Sequence, residues 1–137
     1  MNLMLYEMVY CSLKDYIKTN SKIGVKVLKR PNGTNYPMVT IQEISNISIS
    51  NVNRMESYSN VSFEINIFAN SMEVDSKLID SMEVARYLQS IVSDYMDYEV
   101  RFKRIMAEPT PIVNNDKLYR ITMRYTGNAS DYRGCFF

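Results

Sequence analysis

The acidic residues offer the first possibility of chemistry. Asp94, Asp97 and Glu99 lie close together, as do Asp80 and Glu83, and a three-residue step sets two carboxylates on one helical face, as a divalent metal or an acid–base pair would require. At the end of an amphipathic helix such acids are ordinarily solvated, and that is how they are read here. The chain contains no histidine. Without the one side chain that titrates near neutral pH unperturbed, serines lack a base to activate them, and acid–base work would fall on perturbed carboxylates, thiols or lysines. Gly24, Gly33, Gly127 and Gly134 stand alone and form no phosphate-cradling loop. Cys11 and Cys135 sit near opposite ends, without a CxxC pair to begin a zinc site, and a bridge between them would need an oxidising compartment, so free thiols are expected. No catalytic residue, metal or cofactor is expected.

The basic residues offer the second possibility. Arg101, Lys103 and Arg104 fall on one late strand of the expected fold, and Lys117, Arg120 and Arg124 on its partner. If the two pair, Arg101 and Lys103 share a parity and lie beside Arg120 and Arg124 on the face away from the core, a stripe able to meet phosphates or an acidic protein surface. A solvated outer sheet face explains the same pattern. With 16 basic against 15 acidic residues the net charge is +1, so no global field draws the chain to nucleic acid or an anionic membrane, and no RNP-like aromatic motif is present.

The elements that must position these residues follow from periodicity. From Leu3 to Ile17 the apolar positions recur at helical steps, ending near Thr19 to Ser21. A short strand is expected over Lys22 to Lys29, then a loop from Arg30 to Pro37, rich in turn formers. Met38 to Ser50 is strand-like with a parity slip at Ile44, which implies a bulge near Gln42 to Ser45 or two strands. Asn51 to Asn60 reads as a loop or extended hairpin tip, and Val61 to Phe68 as the clearest strand. Val74 to Tyr98 carries one apolar helical stripe and reads as a single long helix. Val100 to Ala107 and Lys117 to Thr126 read as strands joined by a Glu108 to Asp116 turn.

The fold class is therefore α+β: a mostly antiparallel sheet of four to five strands with two helices on one face, in the order α-β-β-β-α-β-β. Residues 1–127 form one domain and 128–137 an extended tail. A length of 137 residues suits one core, since a domain of about 150 residues buries roughly 70% of its unfolded surface. No apolar run is long enough to cross a bilayer, and the N-terminal stretch lacks a basic region and cleavage site, so a cytoplasmic, unprocessed chain is expected. The 10 methionines and 11 tyrosines suit either a methionine-rich core or an interface. The end Cys135-Phe136-Phe137 either docks on a neighbouring subunit or folds back on its own core, since two exposed phenylalanines invite aggregation.

A familiar pattern emerges from Pro37-Met38-Val39-Thr40-Ile41, from Tyr58 through Glu64-Ile65-Asn66-Ile67-Phe68-Ala69, from Ala85-Arg86-Tyr87-Leu88 and from the late strand Tyr119 to Tyr125. In element order and in these degenerate motifs most of the chain resembles the tail terminator, or tail completion, proteins of long-tailed bacteriophages and related particles. The resemblance implies a non-enzymatic virion protein that forms a homo-oligomeric, hexameric ring on the last ring of the tail tube protein. That ring ends tail growth and meets the neck or head-completion protein, with DNA only as passing cargo and no membrane partner. Such a protein works at the tail–neck junction, after assembly in the host cytoplasm. Ring contacts in that family come from sheet edges, long loops and termini, which by position alone map here to Arg54, Met55, Glu56 and Tyr58 and to Asp131, Tyr132, Arg133, Phe136 and Phe137. The alternative is a nucleic-acid-binding accessory module using the basic face of Arg101, Lys103, Arg120 and Arg124.

Overall fold

The computed structural model describes residues 3–30, 37–51, 56–109, 118–132 and 135–136. Helix α1 (Leu3–Asn20) buries Val9, Leu13 and Ile17, three residues at four-residue steps, so one stripe faces the core. It ends where polar side chains take over the last carbonyls: Asn20 Nδ2 donates to Tyr16 O at 2.8 Å, and Ser21 N to Ile17 O at 2.8 Å. Two tyrosine hydroxyls pin it to the sheet, Tyr6 donating to Ile41 O at 2.7 Å and Tyr10 to Val27 O at 3.1 Å.

Strands β1 (Lys26–Leu28), β2 (Met38–Asn51), β3 (Glu56–Ala69), β6 (Lys103–Pro109) and β7 (Tyr119–Tyr132) form one sheet in the order β1-β2-β3-β7-β6. Among the described residues only β1 and β2 run parallel; β8 (Cys135–Phe136) turns back on the end of β7. A separate small hairpin, β4 (Met72–Val74) with β5 (Lys77–Ile79), precedes α2 (Ser81–Asp94). The architecture is α+β and mostly antiparallel, with the two helices and a five-stranded sheet in the expected order. The core lies between them: Val39, Ile41, Phe63, Ile65, Ile67, Met123 and Tyr125 from the sheet meet Leu13 and Ile17 of α1 and Leu88 and Val92 of α2. Aromatic contacts weld the layers, with Phe63 and Phe102 stacked at 5.5 Å and Tyr16 against Tyr95 at 5.3 Å.

The β2 bulge falls between Glu43 and Ser45, inside the expected window. Its extra residue changes the pairing parity. Val39 and Ile41 pair with the core residues Ile67 and Ile65, whereas Ile47 and Ile49 pair with Asn60 and Tyr58.

Four expectations need correction. The single helix over Val74 to Tyr98 is three pieces: the β4–β5 hairpin, α2, and a π-helical turn from Tyr95 to Glu99. Asp75 and Ser76 adopt φ of 51° and 65°, the left-handed pair of a tight hairpin turn, and Leu78, counted in the helical stripe, is 79% exposed. Asp80 stands at the N-cap position with extended backbone and no side-chain cap bond, and its carbonyl accepts from Val84 N at 3.0 Å, so the helix starts only there. Secondly, of the two readings of Asn51 to Asn60 the extended hairpin tip holds and the loop does not: Asn51 and Glu56–Asn60 pair within β2 and β3, with 52–55 outside the described residues. Thirdly, Asn128–Tyr132 is not a free tail: it continues β7, pairing from Asn60↔Asn128 to Tyr58↔Ser130 before meeting β8. Fourthly, β1 is only three residues long, and β6 begins at Lys103 because Phe102 N donates to Met96 O at 2.8 Å instead of joining the ladder. Most of the Arg30 to Pro37 loop and of the Glu108 to Asp116 turn lies outside the described residues.

Candidate functional site

The two stretches expected to make ring contacts come together in space. Glu56 and Tyr58 sit in β3, opposite Asn51 and Ile49 of β2, and Tyr58 pairs on its other side with Ser130 of β7. Asp131 and Tyr132 close β7 and pair with Phe136 and Cys135. Arg54, Met55, Arg133 and Phe137 lie outside the described residues. The far halves of β2, β3 and β7 thus form a sheet extension. β1 accompanies only Met38 to Thr40 of β2, and β6 pairs with β7 only between Ile121 and Thr126. From Ile41 to Asn51 the outer edge of β2 has no strand beside it among the described residues. Such an edge presents unpaired backbone groups to another chain.

The basic residues do not form the continuous stripe expected of them. Arg101 precedes β6 with a left-handed φ of 56°, outside the ladder. Lys103 pairs with Thr126, and a bulge between Arg104 and Met106 then sets Met106, not a basic residue, opposite Arg124. Arg124 points a guanidinium nitrogen at Glu64 Oε2, 3.9 Å away, across the β3–β7 pair. Arg120 is more tightly held: its Nε and Nη2 donate to Asn66 Oδ1 at 3.1 and 3.0 Å, and its guanidinium lies 5.2 Å from the centre of the Phe68 ring.

That contact exposes a feature that periodicity missed. Asn66, Thr122, Thr40, Met38 and Phe68 are all buried, although they lie on the sheet face turned away from the helices. Asn66 Oδ1 also accepts from Thr122 Oγ1 at 2.7 Å, so one amide oxygen gathers three donors. Thr40 Oγ1 is buried without a hydrogen-bond partner among the described residues. The alternation rule placed these residues outward and therefore solvated; the only hint of burial was Phe68 breaking the polar parity of its strand.

Among the described residues three tyrosine hydroxyls are perturbed, each mainly by burial. Tyr6 is pushed up to about 12, with Glu7 adding to the effect of burial. Tyr95 and Tyr125 are raised too, partly offset by hydrogen bonds from Ser12 and Ser93. These shifts keep the phenols neutral and serve packing. Among the described residues no three acidic, cysteine or histidine side chains converge as a metal site would need, and no helix is long and apolar enough to cross a membrane. Asp94, Asp97 and Glu99 are exposed around the π turn.

An open trough of about 640 Å³ runs beside the bare stretch of β2, between Tyr6, Lys29 and Glu43. Lys29 pairs with Glu7 and lies over the rings of Tyr6 and Tyr10 at 5.6 and 5.2 Å, so its charge is already engaged. A second depression, about 280 Å³, lies under the C-terminal half of α1. The chain matches no protein-family model, and no curated protein is similar to it in sequence.

Proposed function

We propose that the chain is a structural virion protein that caps a tail tube as a homo-oligomeric ring, ends tail growth and forms the joint to the head or neck. The observation that carries this reading is the extension of β2, β3 and β7 beyond the part of the sheet flanked by β1 and β6. It joins the described parts of the two stretches assigned to ring contacts, Asn51 and Glu56–Asn60 with Asn128–Tyr132 and Cys135–Phe136, into one unit with an open strand edge. Extended edges and ends of this kind suit contacts between identical subunits by strand addition. The element order that underlies the likeness to tail terminators supports the same reading. In this role the partners are further copies of the chain, a tail tube protein below and a neck protein above. The alternative of nucleic-acid binding loses support from Asn66 and Glu64, which engage two of the four basic residues on which it depends.

Electron microscopy of the purified chain, alone and mixed with tail tubes from the particle that encodes it, tests the proposal. Rings seated on tube ends are expected. Tubes of unregulated length that bind no protein would refute it. A chain lacking residues 131–137 should fold yet cap poorly; normal capping would remove the C-terminal strand from the interface.

A further inference from the structure

Deepening the ring reading above, on which its assembly context rests, we infer that copies of this chain join head to tail, the Tyr98 knob of one copy seating in a lysine-rimmed apolar groove of the next. The groove lies at the β1 edge of the sheet. Ile17 of α1 forms its floor, and Ile23 and Val25 of the link into β1 form its wall. Gly24 lies in that wall with no atom within 4 Å of where a Cβ would stand, which keeps the depression open. Its volume is about 280 Å³. A cavity of about 150 Å³ already admits benzene, so a phenol ring fits. Lys14 and Lys18, one helical turn apart, form the rim; both are exposed and neither makes an ion pair among the described residues. An apolar floor beneath uncompensated positive charge selects an aromatic group flanked by carboxylates.

The chain carries such a group. The π turn projects Tyr98, 76% exposed, between Asp94, Asp97 and Glu99, which are exposed and also make no ion pair among the described residues. The turn is a fixed mount: Tyr95 and Met96 are buried beneath it, Val100 N donates to Tyr95 O at 3.2 Å, and Phe102 N to Met96 O. A rigid aromatic anchor loses little conformational entropy on docking.

The positions make the match intermolecular. The groove and the knob lie on opposite faces of α1: Tyr95, at the base of the π turn, meets Tyr16 at 5.3 Å and bonds Ser12, whereas Lys14 and Lys18 stand two residues, about 200° round the helix, beyond Ser12 and Tyr16. One chain cannot satisfy its own groove, and two chains related by a dyad would bring knob to knob or groove to groove unless both pairs of surfaces met at once. A heterologous contact satisfies every copy, and it closes when the rotation permits.

The test uses the full chain with Cys11→Ser and Cys135→Ser, carrying Gly24→Cys in the groove and Asp97→Cys beside the knob, treated with a short thiol-reactive cross-linker. A covalent ladder ending at one limiting species is expected from the double-cysteine chain, and none from either single-cysteine chain. Adding Lys14→Glu with Lys18→Glu should cut the ladder at least tenfold. Copies bearing those changes should regain cross-linking when mixed with copies bearing Asp94→Lys and Glu99→Lys. Equal cross-linking of a single-cysteine chain, or a ladder indifferent to the charge reversals, would overturn the inference. Light scattering separates the two levels: oligomers without a ladder sink this surface and leave the ring reading standing, whereas monomers without a ladder at the highest attainable concentration sink both.

Discussion

Replacing Gly127 by alanine tests how tightly the sheet closes on its aromatic core. A Cβ at this position would stand 2.5 Å from Phe102 Cδ1 and 2.8 Å from Cε1 and Cγ, where ordinary contact begins at 3.4 Å, so the ring must retreat by about 1 Å. Phe102 has no room to do so: it is 2% exposed, and it stacks on Phe63, itself fully buried, at 5.5 Å. Overpacking of this kind costs about 1–3 kcal/mol, and the immobility of both rings puts the change at the upper end. Alanine also stiffens the unfolded chain, which returns about 0.4–1 kcal/mol, leaving a net loss of about 2 kcal/mol. Urea unfolding followed by far-ultraviolet circular dichroism measures it, with an unchanged m-value expected because the surface exposed on unfolding is the same. Phe102→Leu should relieve the clash, so the double variant should be more stable than the sum of the single losses by at least about 1 kcal/mol. A Gly127→Ala chain within about 0.5 kcal/mol of the parent, or strict additivity in the cycle, would refute the packing argument.

Other consequences are as direct. Asn66→Leu leaves Arg120 and Thr122 facing a hydrocarbon in place of the oxygen that gathers three donors, and should cost about 2–3 kcal/mol; a melting point unchanged from the parent would show that water serves those donors equally well. Stability should be constant through neutral pH and fall as pH rises from 10 through about 12, because Tyr6 stays neutral when folded but ionises near 10 when unfolded, so the unfolded state holds fewer protons. The chain has no tryptophan, so phenolate absorbance tracks this ionisation cleanly, and a titration in which every tyrosine ionised at 10 in the folded protein would contradict it. Leu78→Ser should change stability by less than about 0.5 kcal/mol, since the residue stands exposed on the small hairpin; a loss of 2 kcal/mol or more would restore the continuous helix read from periodicity.

The parts of the fold legible in the sequence are those in which one periodicity operates without competition. Val61, Phe63, Ile65 and Ile67 alternate cleanly and are fully buried, and the stripe of α1 resolves into Val9, Leu13 and Ile17. Periodicity failed where turn chemistry competed with it. Val74, Leu78 and Ile79 fit a helical face, yet Asp75 and Ser76 accept left-handed backbone angles and the helix starts only after Asp80, so a hairpin takes the first turns. It failed again at β2, where the slip at Ile44 was visible but the change of register that it causes needs the partner strand to be known. Of the candidate surfaces, the pairing of residue 58 with residue 130 was out of reach, because register between distant segments depends on tertiary packing. The acids of the π turn read from the sequence as solvated. They are indeed exposed, and the groove of lysines proposed to receive them takes shape only where α1 and the link into β1 pack together.

Strand order also bears on why such a chain would close into a finite assembly. Both long edges of the sheet are interrupted: β2 bulges between Glu43 and Ser45, β6 between Arg104 and Met106, and each bulge carries an exposed isoleucine, Ile44 or Ile105. Bulged edges twist away from a regular ladder and resist the indefinite strand addition that flat edges invite. β1 shields only three residues of β2, and the Tyr6 hydroxyl takes the Ile41 carbonyl where that shielding stops. Continuous sheet formation between neighbours is thus discouraged beside the core and open only along the extension. A contact through side chains, knob into groove, fixes the angle between copies more sharply than a backbone ladder, whose register can slip by two residues without exchanging its faces. A fixed angle is what turns a heterologous contact into a ring, where a variable one yields a fibre.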